Sequence, residues 1–231
     1  LASKEYTNIQ DLVSKNHYQN PQLRERYPEL ADYHRKLQLP SKLSATIDLA
    51  TGTGKSYVMY GIAQILLGLG LVKRVLVLCP STTIEKELHK KFLALVSDPI
   101  LKETIPPSAI IRNPSIVDGS VTVDEGAICI ENVHAVYERT GSSIEDSFGF
   151  KRGFDTVVLN DETHHIYNKI SGNTTEARGL KIWKKFLLDD GYNFKYMLGF
   201  TGTAYIGNDY FNDVIYRYSL REAVDEKFVK K

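Results

Sequence analysis

The chain has 231 residues, 42% of them hydrophobic and 25% charged, which is enough to bury one sizeable core and excludes both a disordered chain and a disulfide-dense secreted module. Its formal net charge of +1 excludes a whole-molecule positive field, so any nucleic-acid contact has to come from a local patch. No apolar run approaches a membrane span and no signal sequence opens the chain, while Cys79 and Cys129 each lie in an apolar strand-like run and read as buried thiols suited to a reducing cytoplasm.

Residues Leu1 to Leu43 are polar and helix-prone, with Leu12, Tyr18, Leu23, Tyr27, Leu30, Tyr33 and Leu37 interleaved and breaks at Pro21, Pro28 and Pro40. They read as a helical leader packed on a core, and the opening Leu1, in place of Met, suggests an excised piece of a longer protein. Residues 44–231 read as the core-forming unit. Apolar, β-prone runs are expected as strands at Ala45 to Leu49, Arg74 to Leu78, Ala127 to Ile130, Thr156 to Leu159 and Tyr196 to Phe200. Between and after them, three- and four-residue spacing predicts helices over Lys55 to Leu69, Thr82 to Val96, Arg178 to Leu188 and Leu220 to Phe228. Continuous apolar strands alternating with helices specify an α/β fold with a doubly wound, mainly parallel sheet. Gly141 to Gly149 and Ser171 to Glu176, without periodicity, are expected as surface loops.

The first strand runs into Ala50-Thr51-Gly52-Thr53-Gly54-Lys55-Ser56, and a helix follows at once. That is the context of a P-loop: the two glycines let backbone N–H groups turn inward around a β-phosphate, Lys55 faces the outer phosphates and Ser56 offers Mg²⁺ a hard oxygen. Thr51 and Thr53 complete the candidate ATP cradle, and Leu49 stands where the standard loop has its first glycine. A second candidate element is Asp161-Glu162-Thr163-His164-His165, expected at the carboxyl end of a buried strand. Asp161 is read as the Mg²⁺ ligand, Glu162 as the residue that polarises the attacking water and His164 as a sensor of the γ-phosphate. Zinc is set aside because no other His or Cys stands nearby at ligand spacing and adjacent histidines should project in different directions.

These residues resemble the motifs of superfamily 2 helicases: Ala50 to Ser56 resembles motif I, Asp161 to His164 a DExH-type motif II with Thr163 for the usual alanine, and Thr201-Gly202-Thr203-Ala204 motif III. Arg74 to Pro80 followed by Ser81-Thr82-Thr83-Ile84 resembles motif Ia, in which Ser81 and Thr82 would grip a nucleic-acid phosphate; a helix cap, with Thr82 and Glu85 as a capping box, is an equal and compatible reading. The Asp-Glu-x-His-His run, the Pro80-Ser81 form of motif Ia and the tail Tyr218-Ser219-Leu220-Arg221-Glu222-Ala223-Val224 are most similar to the R subunit of type III restriction enzymes. The likeness covers roughly Ala45 to Lys231. It implies a RecA-like P-loop NTPase fold, a Mg-ATP-driven motor, and coupling of hydrolysis to movement through His164, Thr201, Gly202 and Thr203. It also implies double-stranded DNA, a second RecA-like domain with an arginine finger, a nuclease domain and a modification methyltransferase subunit as partners. Gln38 reads as an exposed helical residue before an adenine contact. A DExH-type RNA helicase fits the same motifs, as does a nucleotide-gated binding module without turnover, against which Glu162 speaks.

Overall fold

The computed structural model describes residues 8–39, 41–111, 113–136, 142–167 and 175–229, the side chains of 175–180 excepted. The leader folds as three helices, α1 (Ile9–Gln19), α2 (Pro21–Arg26) and α3 (Leu30–Lys36). Pro21 starts a helix instead of breaking one: it takes the first helical position, where a missing N–H costs nothing, and the Asn20 side chain accepts from the Gln22 and Leu23 N–H groups at 3.1 and 3.3 Å.

The elements that follow are β1 (Leu43–Leu49), α4 (Lys55–Gly68), β2 (Arg74–Cys79), α5 (Thr82–Val96), α6 (Pro99–Thr104), β3 (Ser115–Val117), β4 (Ala127–Asn132), α7 (Ile144–Phe148) and β5 (Thr156–Asp161). Then come α8 (His164–Tyr167), α9 (Thr175–Leu188), β6 (Tyr196–Thr201), β7 (Tyr205–Ile206), β8 (Asp209–Tyr210), β9 (Val214–Tyr218) and α10 (Leu220–Asp225). Each expected strand and helix forms, with ends shifted by a few residues. Seven strands make one parallel sheet in the order β3-β4-β2-β5-β6-β1-β9, and β7 pairs with β8 as a small antiparallel hairpin.

Strand periodicity divides the core between the two faces of the sheet. Val75, Val77 and Cys79 of β2 with Val157 and Leu159 of β5 face α4 and α5, whereas Leu76, Leu78 and Val158 face α8, α9 and the short α7. Both thiols are buried, Cys79 under α5 and Cys129 on the opposite face. The leader ties onto this second face: Leu39 is buried in its core, and the Tyr27 hydroxyl donates to Asn212 Oδ1 at 3.0 Å. Where α1 and α3 meet the starts of β1 and β6 they enclose a mostly apolar cavity of about 660 Å³.

Two expectations need correction. The loop placed at Gly141 to Gly149 contains α7, whose Ile144 and Phe148, four residues apart, are buried together in the core although the residues between them are polar. Gly141 itself, residues 171–174 of the second expected loop, Pro40, Leu1, Lys230 and Lys231 lie outside the described residues. The sheet also has two edge strands, β3 and β9, that the apolar runs did not announce. Among the described residues, no helix is long and apolar enough to cross a membrane.

Candidate functional site

Because all seven strands run the same way, their carboxyl ends open on one crevice, and the order β2-β5-β6-β1 sets the four motif-bearing strand ends side by side. β1 ends at Leu49, which is buried and holds the strand on the core, and the chain curls through Ala50 to Gly54 into α4. Gly52 and Gly54 have φ of 85° and 91°, in the left-handed region open to glycine, and the Thr53 hydroxyl closes the loop by donating to the Ala50 carbonyl at 2.6 Å. Lys55 and Ser56 then occupy the first turn of α4.

Lys55 reaches across the end of β6 to the acids that end β5. Its Nζ lies 3.1 Å from Asp161 Oδ1 and pairs directly with Glu162. Burial works against charge on all three groups, and the pairing redistributes the effect. The Lys55 ammonium is held above the usual lysine range because Asp161 and Glu162 outweigh its burial. Burial raises Asp161, with Lys55 opposing. Glu162, which burial alone would raise, is brought down to about 2 by its hydrogen bond with His164 and by Lys55. Glu162 also has φ of 53°, a strained value for a residue with a side chain, and this turns its carboxylate back toward Lys55 at the start of α8. A Ser56 hydroxyl and an Asp161 carboxylate beside a lysine are oxygen donors of the kind that suits Mg²⁺.

Between these strands β6 ends at Thr201. Its Oγ1 is 2.8 Å from His164 Nδ1 and accepts from the Thr203 N–H at 3.0 Å, while the same His164 nitrogen is 3.3 Å from Glu162 Oε2. Gly202 sits at a close approach, since a Cβ there would stand 3.1 Å from the Leu49 carbonyl oxygen, tighter than most Cβ contacts, and 3.4 Å from the Thr51 nitrogen. The structure thus brings together Thr51 to Ser56, Asp161, Glu162, His164 and Thr201 to Thr203. His164 and His165 do not diverge as expected. Their rings pack against each other with centroids 4.2 Å apart, because they open the short α8 and His164 is held by Thr201.

Ser81 and Thr82 lie at the end of β2, beyond β5 from the phosphate loop. Ser81 is the cap of α5, its hydroxyl oxygen accepting from the Ile84 N–H at 3.3 Å, so Thr82 is the first helical residue, and the expected Thr82–Glu85 capping box does not form. Glu85 accepts from the Asn132 side chain instead. Gln38 is not helical: it follows α3, donates to the Lys36 carbonyl at 3.4 Å and lines a cavity of about 440 Å³ with Tyr27 and Tyr210, away from Lys55. Sequence reading passed over Asp48, a buried acid between Ile47 and Leu49 that accepts from the Tyr210 hydroxyl at 2.8 Å and faces Arg217 Nε at 3.6 Å. An acid inside an apolar strand was the available signal.

A family model described as "Type III restriction enzyme, res subunit" matches residues 8–206. The chain belongs to this family. Membership bears out the resemblance of the motifs to a superfamily 2 helicase motor and, within that group, to the R subunit of type III restriction enzymes. The matched span corrects the extent of that likeness: it takes in the leader from Asn8 onward and ends at Ile206, leaving the tail Tyr218 to Val224 outside. No curated protein matches the chain. Among solved structures, the UvsW helicase from bacteriophage T4 is similar with 14% identity and a TM-score of 0.40, over 71% of this chain and 48% of that one. A nuclease-deletion mutant of the type ISP restriction-modification enzyme LlaGI, in complex with a DNA substrate mimic, is similar with 12% identity and a TM-score of 0.48, over 96% of this chain and 20% of that one. The chain therefore spans about half the length of the first and a fifth of the second.

Proposed function

We propose that the chain binds Mg-ATP on Thr51 to Ser56 and hydrolyses it with Asp161 and Glu162, as the first motor domain of a DNA translocase, the R subunit of a type III restriction enzyme. The observation that carries this reading is the meeting of Lys55 with both acids, 3.1 Å from Asp161, across the end of the intervening β6. In this reading the N–H groups of the loop, at the positive end of α4, hold the β-phosphate and Lys55 faces the outer phosphates. Ser56 and Asp161 hold Mg²⁺, which when bound offsets the negative charge of the phosphate oxygens. Glu162 orients and activates the attacking water. Turning Lys55 toward a phosphate removes one of the two partners that lower the Glu162 carboxyl, so its basicity rises as substrate arrives. The His164–Thr201 bond links the acids to the Thr201-Gly202-Thr203 turn and supplies a route for coupling hydrolysis to movement. Ser81 and the exposed Thr82 are the contacts assigned to the DNA backbone. A second RecA-like domain, a nuclease domain and a methyltransferase subunit are the partners this reading assigns.

Calorimetry and turnover of paired variants test this. Lys55→Ala should abolish Mg-ATP binding, whereas Glu162→Gln in the full-length protein should keep binding and lose turnover by about a hundredfold or more. Unchanged affinity in Lys55→Ala rejects the phosphate loop, and loss of binding in Glu162→Gln rejects the division of labour between the acids.

A further inference from the structure

Among the described residues, four buried side-chain atoms have no hydrogen-bond partner, and three of them, Thr46 Oγ1, Thr163 Oγ1 and Asp213 Oδ1, gather around the hydroxyl of Tyr167 at the end of α8. Sheet register explains the meeting. Thr46 of β1 pairs with Gly199 of β6, so the two point to the same face, and a Cβ on Gly199 would stand 2.7 Å from Thr163 Oγ1. From the other side the Asp213 carbonyl, just before β9, accepts from the Thr46 N–H at 2.8 Å, while its side-chain Oδ2 accepts from the Tyr167 hydroxyl at 3.0 Å. We infer that Tyr167 and Asp213 are positioning residues for Glu162: they clamp the one-turn α8 to β1 and so fix the acid-bearing turn against the strand that leads into the phosphate loop. The inference rests on the reading of Glu162 as the residue that activates water.

A helix of four residues has too few internal bonds to set its own direction. Glu162, just before it, has φ of 53°, a backbone setting that persists only where neighbouring contacts over-determine it. At the near end those contacts are the Thr163 N–H on the Phe200 carbonyl and His164 on Thr201, both to β6. At the far end they are the Tyr167 hydroxyl on Asp213 and the Tyr167 ring on Phe211, with centroids 4.9 Å apart. The Tyr167–Asp213 bond reaches past β6 to the β1–β9 side of the sheet, so it ties the turn to the strand that ends at Leu49.

Packing alone does not call for oxygens here. Tyr167 is buried in the same apolar core as Ile166, Ala204 and Phe211, and burial pushes its hydroxyl well above the usual tyrosine range. Buried oxygens without aligned partners are uncommon in native proteins, because each has given up its bonds to water. What such a group offers in return is direction: a hydrogen bond among apolar neighbours accepts one geometry where hydrophobic contact accepts several.

The test is steady-state ATPase and Mg-ATP calorimetry on the full-length protein, with rates expressed per nucleotide site counted by the calorimetric stoichiometry, so that unfolded protein does not enter. Tyr167→Phe keeps the ring on Phe211 and removes the hydroxyl, whereas Asp213→Ala removes the acceptor. Each should lower kcat about tenfold with ATP affinity unchanged, and the double variant should fall no further. Asp213→Asn, whose amide oxygen still accepts from Tyr167, should recover most of the rate. A merely structural role gives lower stability in urea with kcat per site as in the parent, and that result overturns the inference, as does an equal loss in Asp213→Asn. Glu162→Gln run alongside separates the two readings. If it loses turnover while Tyr167→Phe does not, the clamp falls and the water-activating role stands; if it retains turnover, that role falls and the clamp with it.

Discussion

Glu131 carries a cost that the rest of β4 does not. It is 5% exposed, its Oε1 accepts from the Asn132 N–H at 3.0 Å, and its other oxygen lies where a Cβ at Gly119 would stand. Burial, and then the neighbouring Glu85 charge, push its carboxyl up to about 7. The sign of the linkage follows from that direction. An acid whose folded pKa lies above its unfolded value of about 4.3 keeps its proton longer in the folded state, so its contribution is full below pH 4, falls as pH rises toward 7 and is flat above. Denaturant unfolding at pH 5 and pH 8 should show a loss of stability on the order of a few kcal/mol, and Glu131→Gln should reduce that loss by removing the titration. An equal loss in the variant would assign the pH dependence to other buried acids whose carboxyls are also raised, such as Asp161 and Asp213. The same residue-scale logic separates the two catalytic candidates: Asp161 ends a buried strand and is raised by burial, while Glu162, one residue on, has turned out of the strand into the reach of His164 and Lys55.

At the scale of elements, the turn from β5 into α8 matters because it fixes where Glu162 points. It is tied to β6 by the Thr163 N–H, which donates to the Phe200 carbonyl at 3.0 Å, and by side-chain packing on Gly199. A Cβ at Gly199 would fall 2.6 Å from Thr163 Cγ2 and 2.7 Å from its Oγ1, so the glycine is demanded by the threonine that replaces the usual alanine of a DExH motif. Gly199→Ala should therefore cost about 1–3 kcal/mol through overpacking, and adding Thr163→Ala should recover most of the loss. A double-mutant cycle in urea measures the coupling. Additive losses would mean that the two residues do not share this contact and that the turn is held elsewhere.

For the whole molecule, the parallel sheet brings motif strands β2, β5, β6 and β1 to one crevice and leaves Leu39 of the leader and the β7–β8 hairpin on the face away from α4. Among the described residues, the lysine or arginine paired with Asp161 and Glu162 is Lys55, and the arginines Arg217 and Arg221 stand beyond β1 at the β9 edge. An arginine brought in by a second domain typically raises nucleotide hydrolysis on the order of 10³ to 10⁵-fold. The 231-residue chain by itself should accordingly bind Mg-ATP, turn it over slowly and fail to displace a triplex from DNA. DNA-stimulated ATPase and triplex displacement, measured for the chain beside the full-length protein, check this. Comparable rates from the two would show that residues 1–231 already form a complete motor.

The loop Ala50 to Ser56 was legible as a candidate because its pattern is contiguous: an apolar strand, two glycines, Lys55 and Ser56 need no distant residue to declare them, and the five long apolar runs became five adjacent parallel strands. Two kinds of information were not local. β9 carries Ile215 and Tyr216 at 69% and 56% exposure on an edge, and α7 hides two apolar residues in a polar stretch, so neither shows the periodicity that one-sided burial imprints. The sequence by itself determined which residue types could bind phosphate, hold a metal and activate water. Only the tertiary structure decided that Lys55 meets Glu162 across 107 positions of chain, that His164 is bonded to Thr201, and that β9 brings Arg217 beside Asp48, because strand order is set by how crossovers pack on the two faces of the sheet and no single segment encodes it.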